Sequence, residues 1–322
     1  DSGMPHQFGS PNNLPDSIAQ TSGLNPAQLI YGDVGGQSPQ KYINELAVQL
    51  YEGTIKTAVL CGSEAIGTVK RAKKAGHEMD WNQPSDRGFI DKRSDFSILT
   101  KYEIRHGIIS MPMAYGLLEN ARRNRLEMDR ASYAKEMAEL WSALSSVASS
   151  RTHAQFAKHW SAEELLQDGG GNYQLNDPYR RWMVAQDAVA LGGAVILTTA
   201  GHAADLGIAE DKMIFLHSGA DSSAPIISER ADLSHSPAIK WAVDKALDLA
   251  ELEASNVGPI DIYSCFPVAV SLAIEALNQP DRVLSSYTLT GGLGFFGGPG
   301  NSYSTHAIVA LVQALRQDGS KP

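Results

Sequence analysis

Six glycines fall between positions 291 and 300 (Gly291, Gly292, Gly294, Gly297, Gly298 and Gly300), and they lead straight into a regular apolar pattern. From Ser304 to Leu315 the apolar positions Ala307, Ile308, Leu311, Val312 and Leu315 recur at helical spacing, which predicts a buried helix. A glycine loop at a helix N-terminus offers backbone N–H groups to a phosphate, a thioester oxygen or a developing oxyanion. It also serves as a tight turn against a core, and both readings stand at this point. Upstream, Pro259 to Phe266 alternates and then runs apolar, predicting a short buried strand that ends at the turn Phe266-Pro267. Tyr263 and Cys265 then sit at a strand's carboxyl end, where α/β sheets place ligands.

The rest of the chain narrows the class. With 322 residues and 43% hydrophobic composition it can bury one large or two medium cores. A net charge of −9 argues against general nucleic-acid binding. No run is long enough to span a bilayer, and residues 1–30 are polar and broken by proline rather than signal-like. The two cysteines, Cys61 and Cys265, lie in apolar segments, which favours a reducing, cytoplasmic setting over a disulfide framework.

Taken in order, Leu14 to Gly23 reads as a short helix. In the helix that follows, Ser38 caps, Pro39 fits the first turn, and Tyr42, Ile43, Leu46, Ala47, Leu50 and Tyr51 line one face. Thr57 to Gly62 reads as a fully buried strand. The basic run that follows, with Lys70, Arg71, Lys73 and Lys74, is either a solvated helix face or a landing site for a phosphorylated ligand. Between Asp80 and Asp187 the composition shifts to more charge and holds four of the five tryptophans; it predicts an inserted, mostly helical subdomain with a helix over Ala131–Val147. Leu197 to Gly207 then reads as helix, Met213 to Leu216 as strand and Ser236 to Leu252 as helix, an order that argues for a layered α/β fold. The Gly35-Gly36 and Gly297-Gly298 turns, each opening onto an apolar helix, hint at internal duplication.

The segments YGDVGGQSPQ, AVLCGSEAIGTVKRAKKAG, DLSHSPA, DIYSCFPVAV and TGGLGFFGGPGNSYSTHAI together resemble the thiolase superfamily, in its thiolase-like or acetyl-CoA acetyltransferase group. They are similar above all to thiolases of the sterol-carrier-protein type. The resemblance implies a thiolase-like five-layered αβαβα fold from two repeated βαβαβαββ halves, with an inserted helical loop domain over a CoA thioester. It places the N-terminal half at 1–100 and 186–208, the inserted subdomain at 101–185 and the C-terminal half at 209–322. It also implies truncation at both ends, because the family carries a first strand before the point matched by Asp1 and two strands beyond the point matched by Pro322.

The family's reacting groups map unevenly. Its nucleophilic cysteine falls on Gly36 and its Gly-His-Pro histidine on Gly298, and glycine neither forms an acyl-enzyme nor moves a proton. The loop Tyr263-Ser264-Cys265-Phe266 matches Asn-Glu-Ala-Phe or His-Asp-Cys-Phe, so Cys265 corresponds to an acid/base cysteine and Tyr263 replaces the residue that helps hold the oxyanion. Three functions follow. Acyl transfer would use Cys265 activated by His306. Aldol or retro-aldol cleavage of a CoA thioester would use Tyr263 and Tyr303, as thiolase-like aldolases of steroid side chains use tyrosines. A non-catalytic subunit would only bind the thioester.

The candidate catalytic residues are thus Cys265, Tyr263, His306 and Tyr303, and those for the substrate or CoA are Gly297, Gly298, Asn301, Lys70 and Arg71. CoA or acyl-CoA enters as substrate, with no covalently bound cofactor, and a homodimer or a partner protein is left open. His6, His77, His106, His153 and His159 have no metal-ligand spacing. Asp33, Asp232 and His235 read as caps and turns near the matched motifs.

Overall fold

Helices form where the sequence supplies both an apolar stripe and a stop signal. The computed structural model describes residues 8–93 and 99–318; His6 lies outside the described residues. Helix α1 (Leu14–Thr21) starts at Asn13, whose side chain accepts the Asp16 N–H. After β1 (Ile30–Tyr31) comes α2 (Ser38–Tyr51), with Gln37 rather than Ser38 at the cap position. Its buried stripe is Tyr42, Ile43 and Leu50, while Tyr51 is 93% exposed, so the apolar face is narrower than the spacing predicts. Then follow β2 (Thr57–Glu64), α3 (Ile66–Ala75), β3 (Ile90–Asp91), α4 (Lys101–Arg105), α5 (Met111–Arg125), α6 (Arg130–Ser149) and α7 (Ala162–Leu166). The chain continues through β4 (Leu191–Thr198), α8 (Ala200–Asp205), α9 (Pro237–Ala250), α10 (Pro267–Leu277) and α11 (Tyr303–Gln317). Helix α8 starts later than the sequence suggests because Leu197 and Thr198 complete β4 and Thr199 caps the helix.

Among the described residues the strands form two two-stranded sheets, β1 with β3 in parallel and β2 with β4 antiparallel. The β2–β4 ladder runs from Thr57 opposite Thr198 to Glu64 opposite Leu191. Leu60, Val195 and Leu197 face Ile43 and Leu50 of α2 and Ile308 of α11. Val59 and Ile196 point the other way and are 45% and 72% exposed. The predicted fully buried strand is therefore half-buried, because helices cover a single face of a two-stranded sheet. The strands predicted over Met213–Leu216 and Pro259–Phe266 join no ladder. Around Tyr263 the neighbouring segments offer single bonds instead of a row: Ile262 N–H donates to the Tyr287 carbonyl, which closes a 3₁₀ turn, and Ala185 N–H donates to the Cys265 carbonyl.

The deepest packing surrounds α6, whose Tyr133, Met137, Trp141, Leu144 and Ala148 recur at three- and four-residue spacing and are almost wholly buried. Trp141 and Leu144 meet Trp160, Leu165, Trp182, Met183, Val270 and Phe295. Residues 290–299 press against this pillar and are all buried. Gly291 has φ +102°, and a Cβ there would lie 2.5 Å from the Ala148 backbone, so both conformation and space demand glycine. Gly291→Ala is expected to destabilise the chain by about 3 kcal/mol or more, through a strained backbone and overpacking, read as a lowered urea midpoint. Substitution at Gly88, where nothing lies within 4 Å of an added Cβ and φ is not positive, serves as the control.

Candidate functional site

The site begins with a missing side chain. A Cβ on Gly36 would fall on the hydroxyl of Tyr263, so the phenol occupies the space a side chain at position 36 would need. The turn is held by α11 and the short turn that leads into it: Asn301 Oδ1 accepts the Gly35 N–H at 2.9 Å, and Ser304 Oγ of α11 donates to the Gly36 carbonyl at 2.6 Å. Tyr263 packs edge-on against Tyr303 at 5.6 Å, and its hydroxyl takes no hydrogen-bond partner among the described residues. Burial pushes the Tyr263 phenol above its ordinary value, so it is a neutral donor at neutral pH.

Tyr303 is fully buried and differently employed. Its hydroxyl lies 2.9 Å from Asp261 Oδ1 and 2.6 Å from Thr290 Oγ1. Asp261 Oδ2 accepts from the Leu289 and Thr290 amides and from the Thr288 and Thr290 hydroxyls at 2.8–3.0 Å. Burial raises the Asp261 carboxyl, and these donors pull against it. Tyr303 thus fixes the loop that carries Tyr263, and its hydroxyl is committed to that network.

Cys265 meets a residue the sequence reading did not single out. The Tyr115 hydroxyl of α5 adjoins the Cys265 thiol, both residues packing against the same cluster, and its ring stacks on Phe266 at 4.2 Å and 17°. Burial pushes the thiol up to about 11, with Tyr115 working the other way. The adjoining thiol and burial together push Tyr115 above its ordinary value, with Tyr263 adding to the effect. Tyr115, Cys265 and Tyr263 therefore form one constellation of neutral acids. Its signal in the sequence was slight: a tyrosine in the region read as an inserted, mostly helical subdomain, some 150 residues from the loop it serves.

The expected pair of Cys265 and His306 is not formed. The imidazole lies 5.5 Å from the Phe296 ring, and a Cβ on Gly193 of β4 would come within 3.2 Å of its Cε1. Its Nε2 is buried with no hydrogen bond among the described residues, and burial, then the charge of His153, lowers its pKa to about 4. The glycine run is no open cradle either. The N–H groups of Gly291, Gly292, Leu293 and Gly298 go to Thr288 Oγ1, Thr290 Oγ1, Ser264 Oγ and the Gln186 carbonyl, and Gly297 lies against Val189. Lys70 pairs with Asp187 at 3.2 Å on the exposed surface, and Arg71 reaches Thr68 Oγ1. Asp232 accepts from Ser234 and binds His235 Nδ1 at 2.6 Å, a turn that holds the carboxyl down at about 2, mainly through the Ser234 hydroxyl.

No protein-family model matches the chain, and neither does any curated protein. Solved structures do. A monomeric SCP2-thiolase-like protein type 1 from Mycobacterium smegmatis is 35% identical over 95% of this chain, with a TM-score of 0.80. The chain belongs to the thiolase superfamily. It spans 61% of that protein's length. The Ltp2-ChsH2(DUF35) aldolase has 13% identity and a TM-score of 0.61, with 93% of this chain and 74% of that one aligned. The dimeric peroxisomal thiolase of Saccharomyces cerevisiae has 14% identity and a TM-score of 0.57, with 88% and 68% aligned. These two likenesses speak for the thiolase-like α/β fold alone. Among the described residues, no helix of this thiolase-like chain is long and apolar enough to cross a membrane.

His306 gives the thiolase-like fold a pH signature. Its folded value of about 4 lies below the ordinary 6.5, so its contribution to stability is complete above about 6.5 and is lost as pH falls through 4. Urea unfolding of the unmodified chain is expected to lose about 2 kcal/mol from this group between about pH 7 and pH 4.5. The same pH step in His306→Phe should be smaller by that amount; an equal step in both proteins would exclude a buried neutral ring.

Proposed function

We propose that this chain carries out carbon–carbon bond chemistry on an acyl-CoA thioester by an aldol or retro-aldol route, without an acyl-enzyme. The observation that carries this reading is the Tyr263 hydroxyl in the space of a Gly36 side chain, where the superfamily's nucleophile would start. The remaining thiol, Cys265, stays protonated at neutral pH and has Tyr115, not an imidazole, beside it. A thiol without a base or a lowered pKa is a poor acyl acceptor.

Three neutral acids fit an enolate-forming cleavage. The unpartnered Tyr263 hydroxyl donates to the thioester oxygen as negative charge builds there. In the retro-aldol direction the β-hydroxyl proton passes to the Tyr115 oxygen, the Tyr115 proton to the Cys265 sulfur, and the Cys265 proton to Cα. The Cα–Cβ electron pair stays on Cα, and the β-carbon becomes a carbonyl. Tyr303, the second tyrosine of the sequence-based proposal, acts here by holding the loop. The name of the aldolase neighbour, Ltp2-ChsH2(DUF35), joins two proteins, which supports a partner protein in the working assembly. CoA as the thiol carrier rests on the superfamily resemblance.

The test uses a 3-hydroxyacyl-CoA, first 3-hydroxybutyryl-CoA and then a β-branched analogue, with the shortened acyl-CoA and released carbonyl followed by mass spectrometry. Release of both products with unchanged protein mass is expected. Tyr263→Phe and Tyr115→Phe should each lower the rate by about a hundredfold or more. A single acyl group on Cys265 after brief exposure to acetyl-CoA would overturn the proposal in favour of acyl transfer. CoA affinity without turnover of either compound would favour the binding role.

A further inference from the structure

One turn of α5 holds three successive points of the site loop. Tyr115 adjoins the Cys265 thiol and stacks on Phe266, and Glu119, four residues on, accepts the N–H of Val268 at 2.8 Å. Val268 is the second residue of α10, whose cap residue Phe266 has no side-chain acceptor and whose first residue, Pro267, has no N–H. The free donor of this helix end is therefore satisfied by a carboxylate 149 positions away in sequence.

Glu119 is completely buried. Its Oε1 accepts from Tyr133 OH at 2.6 Å and its Oε2 from Tyr179 OH at 2.7 Å. Arg122 donates to the Tyr133 oxygen, so the Tyr133 proton points to Glu119; the Val268 amide can only donate. Those two contacts require an acceptor at each oxygen; burial raises the Glu119 carboxyl, and the bonds from Tyr133, Tyr179 and Val268, with the Arg122 charge, pull against it. Tyr179 also closes the other side of Phe266 at 5.3 Å, and Arg122 and Arg125 grip Glu275 two turns along α10.

We infer that Glu119 is a positioning residue: as the distant N-cap of α10 it holds the Cys265-Phe266 loop against α5 and so sets the contact between Tyr115 and Cys265. The inference rests on the constellation described above, and its test reads the thiol, so it succeeds or fails independently of aldol turnover.

In the full chain with Cys61→Ser, Cys265 is alkylated with iodoacetamide at about pH 8.5, the adduct is located by peptide mapping, and amide exchange at Val268 is followed in parallel. Val268 should exchange slowly in the parent. Glu119→Gln keeps an oxygen for the amide and should alkylate within about threefold of the parent, while Glu119→Asp, one methylene short, and Glu119→Ala should each react about tenfold faster or more and lose Val268 protection. In a Tyr115→Phe background the added effect of Glu119→Asp should shrink to about threefold or less. Core loosening alone would not separate Gln from Asp. Equal rates for these two, or rapid Val268 exchange in the parent, would overturn the inference; where Glu119→Ala does not fold, those two readings decide it.

Discussion

Five hydrogen bonds converge on one buried carboxylate, that of Asp261, and the geometry of the site depends on them. The residue opens the segment that carries Tyr263 and Cys265, while its donors come from residues 288–290 and from Tyr303, the first residue of α11. Three stretches that share no β-ladder are joined at this point. Withdrawing such a carboxyl from water is costly unless each lone pair is matched, so the network works as a set: losing one donor leaves a charged, buried oxygen under-coordinated. This is how a loop without regular strand pairing presents its side chains reproducibly.

Around that joint the molecule places small residues wherever two elements must touch. Gly291 lets the loop lie on the Ala148 backbone, and Gly36 lets the Tyr263 phenol approach α2. The buried glycine run therefore serves close packing, and its amides answer to protein acceptors. The chemistry available to the site then follows from burial. Two phenols and a thiol, each shifted upward, remain protonated at neutral pH. Such groups give protons and stabilise negative charge more readily than they attack a thioester.

Much of this was legible in the sequence, but unevenly. Periodicity located α2, α6, α9 and α11, and the local motif Tyr263-Ser264-Cys265-Phe266 marked the site because neighbouring residues carried its signal. The strand predicted over Pro259–Phe266 did not join a ladder, since an apolar run specifies burial while pairing depends on what lies alongside. The pairing of Cys265 with His306 was equally plausible by chain position, yet the helical turn directs the imidazole to β4. Tyr115 and Glu119 were missed because their partners lie about 150 positions away. The local hint was an acid next to Leu118 with an arginine three residues on at Arg122, a spacing that puts both on one helix face.

The shared space between Gly36 and Tyr263 also constrains the history open to such a protein. Any side chain restored at position 36 collides with the phenol, and trimming the phenol alone leaves a hole beside a bare glycine. A chain with a side chain at position 36 and a chain like this one are thus separated by two changes, each unfavourable by itself. Once both have been made, single substitutions no longer lead back, and selection can only refine the tyrosine-lined site.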